Sequence, residues 1–131
     1  MSQKKGLIII SDDEKAVRKL IKRMLIKNSL ADENNILLFP DSNKAWEHIS
    51  TLTESPRIVI SSVDIDTTKR KDMNGFDLLT ETKGKFPNVI FIIMSGTHSY
   101  NKEAEEKGAN YFLAKPFNVN EFSSALEKCG L

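Results

Sequence analysis

Cysteine is almost missing from this chain: Cys129 is the single one among 131 residues. It cannot close an internal disulfide, and with only two histidines beside it there is little material for a zinc site. Neither sign of charge is in excess. A formal net charge of +1 gives no global pull toward nucleic acid or a membrane surface. There is no signal-peptide pattern and no apolar run near membrane-spanning length, so the chain reads as cytoplasmic. Internal repeats, low-complexity tracts and linkers are missing too. Residues 1–131 are expected to form one domain, a stand-alone module or an excised piece with no output domain after it.

What is present is a globular balance, 40% hydrophobic and 28% charged. A chain of this size buries about two thirds of its unfolded surface. Leu7 to Ile10 is an apolar run ending in Ser11-Asp12-Asp13-Glu14, a buried strand that closes on acids. The aspartates also suit the start of a helix, as caps and as charges at its positive dipole end. Val17, Leu20, Ile21 and Met24 then recur at helical spacing, with Leu25 widening the stripe. A second strand spans Asn35 to Phe39, and Pro40-Asp41-Ser42 opens a helix with Ala45, Trp46, Ile49 and Leu52 inward.

The stretch from Arg57 to Gly75 is the one the rest frames. Its apolar run, Ile58 to Ile60, slides into small polar residues and then into Asp64 and Asp66. Gly75 and Phe76 begin a third helix, with Phe76, Leu79 and Phe86 inward and Pro87 closing it. Val89 to Met94 is the most apolar strand and ends at Ser95-Gly96. A polar helix over Ser99 to Lys107 stops at Gly108, read as a left-handed cap. Tyr111 to Leu113 is a brief fifth strand before Ala114-Lys115-Pro116. Asn118 and Glu121 have the spacing of a capping box for a last helix carrying Phe122, Ala125, Leu126 and Cys129.

Strands alternating with helices in this way specify an α/β fold, a doubly wound parallel sheet with helices on both faces. Right-handed crossovers put every strand's carboxyl end on one edge, where such folds keep their chemistry. Asp12, Asp13, the 62–66 segment, Ser95 and Lys115 all fall at that edge.

From about Lys5 to Leu131 the chain resembles the receiver domain of two-component response regulators. The resemblance is carried by Asp12-Asp13 after the first strand, Ser95-Gly96 after the fourth and Lys115-Pro116-Phe117 after the fifth. The run Gly108-Ala109-Asn110-Tyr111-Phe112-Leu113-Ala114 before Lys115 adds to it. The resemblance implies a flavodoxin-like, three-layer α/β/α fold with strand order 2-1-3-4-5 and a role in phosphorelay signalling. It implies that Asp12 and Asp13 hold Mg²⁺, that Ser95 is the hydroxyl switch and that Lys115 is the phosphoryl-binding ammonium. Phe112 takes the position of an aromatic that moves with the switch, and the family's peptide before the Pro116 position is often cis. The implied partners are proteins: a histidine kinase, a phosphotransfer protein or an output protein. They would dock on the first helix, with its basic side Lys15, Arg18, Lys19, Lys22 and Arg23, or on the Ser99–Lys128 face.

The pattern departs from the family at the phosphoacceptor. Counting from Pro56, the slot for the accepting aspartate falls on Ser62. Serine is neutral, cannot help hold Mg²⁺, and has no general base beside it in sequence. A shift of two residues makes Asp64 the acceptor and a metal ligand, at the cost of a longer strand carrying two buried serines. The loop to Gly75 also holds about five extra residues, Thr67 to Lys71, beyond what the family's short loop implies. Its Lys69-Arg70-Lys71 run reads either as a solvated loop tip or as a source of one cation that replaces the metal.

Three functions follow. The first is a degenerate receiver, a protein-interaction module that needs no phosphorylation and is no enzyme. The second is a working phosphoryl switch using Asp64 with Mg²⁺, at most a self-phosphorylating and self-dephosphorylating receiver. The third rests on Asp64-Ile65-Asp66-Thr67-Thr68, which looks like the nucleophile motif of haloacid-dehalogenase-type phosphatases. That family places the motif on its first strand in a longer chain. A flavin site is disfavoured because no Ser/Thr-Gly-rich phosphate loop follows the first strand. Trp46, Phe76 and Phe122 are read as core, and His48 and His98 as surface residues.

Overall fold

β-Branched and aliphatic runs bounded by polar turns make the strands, and the computed structural model describes them within residues 6–63 and 73–131. The strands are β1 (Ile8–Ser11), β2 (Ile36–Phe39), β3 (Ile58–Ser62), β4 (Ile90–Ser95) and β5 (Tyr111–Ala114). They form one parallel sheet in the order β2-β1-β3-β4-β5, as expected for a doubly wound fold. The helices are α1 (Lys15–Lys27), α2 (Ser42–Ile49), α3 (Gly75–Lys85), α4 (Tyr100–Glu106) and α5 (Val119–Lys128). A short 3-10 turn, Glu33–Asn35, precedes β2.

The side-chain alternation of the strands divides the core into two layers. Ile8, Ile10, Ile58, Ile60, Ile92 and Met94 pack against Ile21 and Leu25 of α1 and Phe122 and Leu126 of α5. Ile9, Val59, Val63, Phe91 and Ile93 pack against Ala45 and Ile49 of α2, Phe76 and Leu79 of α3, and Ala104 of α4. Both faces of the sheet are thus covered, which is why its strands read as unbroken apolar runs.

Local signals set the helix ends. Asn118 and Glu121 form the expected capping box on α5, and Asn74 and Asp77 form a second one on α3. Asp41 caps α2 by accepting from the Lys44 N–H at 2.8 Å. Gly108 ends α4 with φ +95°, a conformation that favours glycine.

Five expectations need correction. Strand β1 is shifted by one residue, and β3 extends through Ser61 and Ser62, both buried. The Ser61 hydroxyl donates to the Ser62 carbonyl at 2.8 Å, so this polar side chain is satisfied within the strand. Leu20 is outside the α1 stripe, exposed at 38%, because Ile21, Met24 and Leu25 fill the contact with the sheet. Trp46 is half-buried at the rim of the second layer and is not a full core residue. The cap of α1 is Glu14, with no side-chain cap bond, so neither Asp12 nor Asp13 caps that helix.

Candidate functional site at the carboxyl edge of the sheet

Register fixes which residues meet at the edge. Ser11 lies opposite Ser61 across β1 and β3, and Ser62 lies opposite Met94 of β4. One step beyond the pairing, Asp12 comes alongside Ser62. Asp12 follows Ile10 by two residues, Ser62 follows Ile60 by two and Lys115 follows Leu113 by two. Those three apolar residues share the α1/α5 layer, so alternation turns Asp12, Ser62 and Lys115 toward the same side.

Asp12 is fully buried, and each of its carboxylate oxygens accepts a hydrogen bond. Oδ1 accepts the Glu14 N–H at 2.8 Å, and Oδ2 accepts from the Lys115 ammonium at 2.8 Å. Its backbone is held as well: its N–H donates to the Phe39 carbonyl, and its carbonyl accepts from the Arg18 guanidinium at 2.7 Å. The ion pair joins the end of β5 to the end of β1. In this strand order β3 and β4 lie between those two strands. Ser62 is 2% exposed, and its hydroxyl has no hydrogen-bond partner.

On β4, Ser95 is 9% exposed, and its hydroxyl accepts the Thr97 N–H at 3.0 Å. Its carbonyl accepts the Lys115 N–H at 2.9 Å, tying the two strand ends together. The Lys115-Pro116 peptide is cis, as the resemblance implies. Phe112 is half-buried against the α2–α4 layer. Carboxylate oxygens of Asp12, Asp13 and Glu14 lie within 4.8 Å of one another, and Asp13 and Glu14 are exposed. Three hard oxygen donors of this kind suit Mg²⁺.

The far wall is set by Gly75. Its N–H donates to the Val63 carbonyl at 2.6 Å. A Cβ there would collide with the Ser62 carbonyl and come within 2.9 Å of the Val63 Cα. Helix α3 therefore presses its first residue onto the end of β3, and only glycine permits that approach.

The structure thus brings Asp12, Asp13, Ser62, Ser95 and Lys115 to one edge. Asp64, Asp66, Thr67 and the Lys69-Arg70-Lys71 run lie outside the described residues, so the Asp64 alternative and the loop-cation idea have no geometry. Glu14 is the member of the acidic cluster that sequence reasoning missed as a ligand. The run Asp12-Asp13-Glu14 was its signal. His98 is exposed, and His48 is half-buried beside Phe39, with ring centroids 5.6 Å apart.

A parallel sheet in this order, with an acid pair just after β1, a hydroxyl at the end of β4 and lysine–proline just after β5, defines a receiver architecture. The response regulator receiver domain family matches residues 8–127, and the chain belongs to that family. It is 30% identical over 123 residues to the uncharacterized transcriptional regulatory protein YesN of Bacillus subtilis, covering 92% of this chain and 31% of YesN. It is 31% identical over 121 residues to the DNA-binding transcriptional activator EvgA of Escherichia coli, covering 91% of this chain and 54% of EvgA. The chain thus spans about half or less of these relatives. Among solved structures, the chemotaxis response regulator CheY4 of Vibrio cholerae superposes with a TM-score of 0.76 at 16% identity. That match covers 95% of this chain and 98% of the other. A response regulator receiver domain protein from Clostridium thermocellum gives a TM-score of 0.76 at 24% identity, covering 95% and 93%. Both confirm the CheY-like, flavodoxin-like fold. No helix among the described residues is long and apolar enough to cross a membrane.

Proposed function

We propose that this receiver signals through protein contacts without taking up a phosphoryl group. The carrying observation is Ser62: a neutral, buried side chain in line with Asp12, where a carboxylate nucleophile would have to stand. Phosphoryl transfer to a carboxylate needs an ionised oxygen open to the donor and a cation to neutralise the phosphate. Ser62 offers a hydroxyl that must lose a proton. The neighbouring carboxylate that could take it, Asp12, is already held by the Glu14 N–H and paired with the Lys115 ammonium.

The acidic cluster still fits a divalent cation. Asp12, Asp13 and Glu14 would hold Mg²⁺, whose chemistry is to offset phosphate charge. Without a carboxylate on β3 the donor set is poorer, and Lys115 already neutralises Asp12. Both features support weakened metal binding. The partners in this reading are proteins, a kinase, phosphotransfer or output protein, docking on α1 or on the Ser99–Lys128 face. DNA binding is a stated property of EvgA, of which this chain matches only part. The near-neutral charge here gives no separate reason for it.

The second reading is an active switch using Asp64. A strand that carries two buried serines is the arrangement this alternative requires, and β3 has it. The phosphatase reading through Asp64 and Asp66 draws no support from a family match that spans the whole motif. Incubation with Mg²⁺ and a small acyl-phosphate donor, followed by intact-mass analysis, separates the first two. The degenerate receiver gains no phosphoryl group. A gain that Asp64→Asn abolishes would establish the active switch.

A further inference from the structure

The helices α2 and α3 leave a groove of about 470 Å³ on the face away from α1 and α5, lined by Trp46, Met73, Asp77, Thr80 and Glu81. Its far end is pinned where the Asn43 side-chain oxygen accepts the Met73 N–H at 3.0 Å. We propose that this groove docks an arginine-bearing segment of a partner protein.

Chemistry selects the occupant. Trp46 presents an indole that is only half-buried, although the hydrophobic effect would favour covering it. Two exposed carboxylates, Asp77 and Glu81, flank it on one helix face. Among the described residues the ion pairs are Lys22–Glu33, Lys107–Glu103 and Lys115–Asp12, so neither groove carboxylate is in one. Asp77 spends one oxygen on the Asn74 N–H at 3.0 Å, which leaves its charge in place. Lys85, four residues after Glu81, instead places its ammonium 5.4 Å from the Phe86 ring centroid. An aromatic face beside carboxylates that have no ion pair among the described residues is complementary to a planar cation. Guanidinium can stack on the indole and pair with a carboxylate at once, which ammonium does less well.

This surface is separate from the carboxyl-edge site, so it stands whether or not the chain accepts phosphate. Trp46 is the only tryptophan and reports occupancy directly. The test is a fluorescence titration of the full chain with a short arginine-containing peptide, a lysine counterpart and an acidic control. The expected result is a saturable change with the arginine peptide, a weaker one with lysine and none with the acidic control. Glu81→Lys, an exposed substitution, should weaken binding roughly tenfold, as expected for reversing a charge in a complementary contact. An unchanged Trp46 signal, or a response that Glu81→Lys leaves intact, would overturn the proposal. So would binding that appears only when Lys69, Arg70 and Lys71 are all replaced by alanine, which would make the chain's own basic run the occupant. Phosphate uptake is scored by mass, so failure here and failure of the signalling mode are distinguishable.

Discussion

Lys115 and Asp12 form the interaction on which the site turns. Asp12 is fully buried, while the lysine side chain keeps 22% of its exposure. Removing one partner of such a pair leaves a buried charge without its counter-ion. Lys115→Ala is expected to cost about 2 kcal/mol in urea unfolding, a figure reduced for the solvent that reaches the lysine. Lys115→Ala together with Asp12→Ala should cost less than the two single changes added, which a double-mutant cycle measures. An additive outcome would mean that the pair is not coupled. Asp12 and Lys115 were legible in the sequence because acids and lysine–proline occur at fixed places after strands. Their direct bond was not, since two residues this far apart in sequence meet only through the strand order. Glu14 was hidden for a similar reason: as the last of three acids before a helix it reads as a helix start.

At the scale of elements, the junction of β3 and α3 is the most constrained. Gly75→Ala drives a methyl group into the Ser62 carbonyl, which must move for the helix to stay. The expected loss is about 2 kcal/mol, in the range of overpacking a core position. Far-UV circular dichroism with thermal melting checks it, and an unchanged melting temperature would contradict the close approach. On α5, Asn118→Ala removes the cap on the Glu121 N–H at 2.8 Å and should cost about 1 kcal/mol. Elements with strong periodicity, such as α5, were readable nearly to their ends. The end of β3 was not, because small polar residues look like a turn when nothing in the sequence says that they are buried. Trp46 was misjudged for a related reason: helical spacing places it toward the sheet, while the packing of Ala45 and Ile49 turns it to the rim.

For the molecule as a whole, the opposite edge of the sheet carries its own charge coupling. The Lys83 ammonium donates to the Val89 carbonyl at 2.6 Å and to the Asn110 side-chain oxygen at 2.9 Å. Burial lowers its pKa below the ordinary 10.5, and the nearby Cys129 partly offsets that. The unfolded chain then holds the Lys83 proton more tightly than the folded one, so this group makes stability rise with pH between its lowered pKa and 10.5. Burial raises the Cys129 pKa above 9.0, partly offset by Lys83, so that group makes stability fall as pH climbs past 9.0. Cys129→Ala should therefore remove the alkaline fall and leave the rise, as followed by denaturation across that pH range. A steeper fall in the variant would contradict the assignment. The fold was the most legible level of all, because alternating strands and helices with chemistry at every strand end admit few arrangements. What the chain does with its site was less so, because that depends on one residue.

The most direct test therefore restores that residue. Ser62→Asp and the unaltered chain are incubated side by side with Mg²⁺ and a small acyl-phosphate donor, and their intact masses are compared. The account predicts one phosphoryl group on Ser62→Asp and none on the unaltered chain. Uptake by the unaltered chain, or by neither while both are folded, would contradict it.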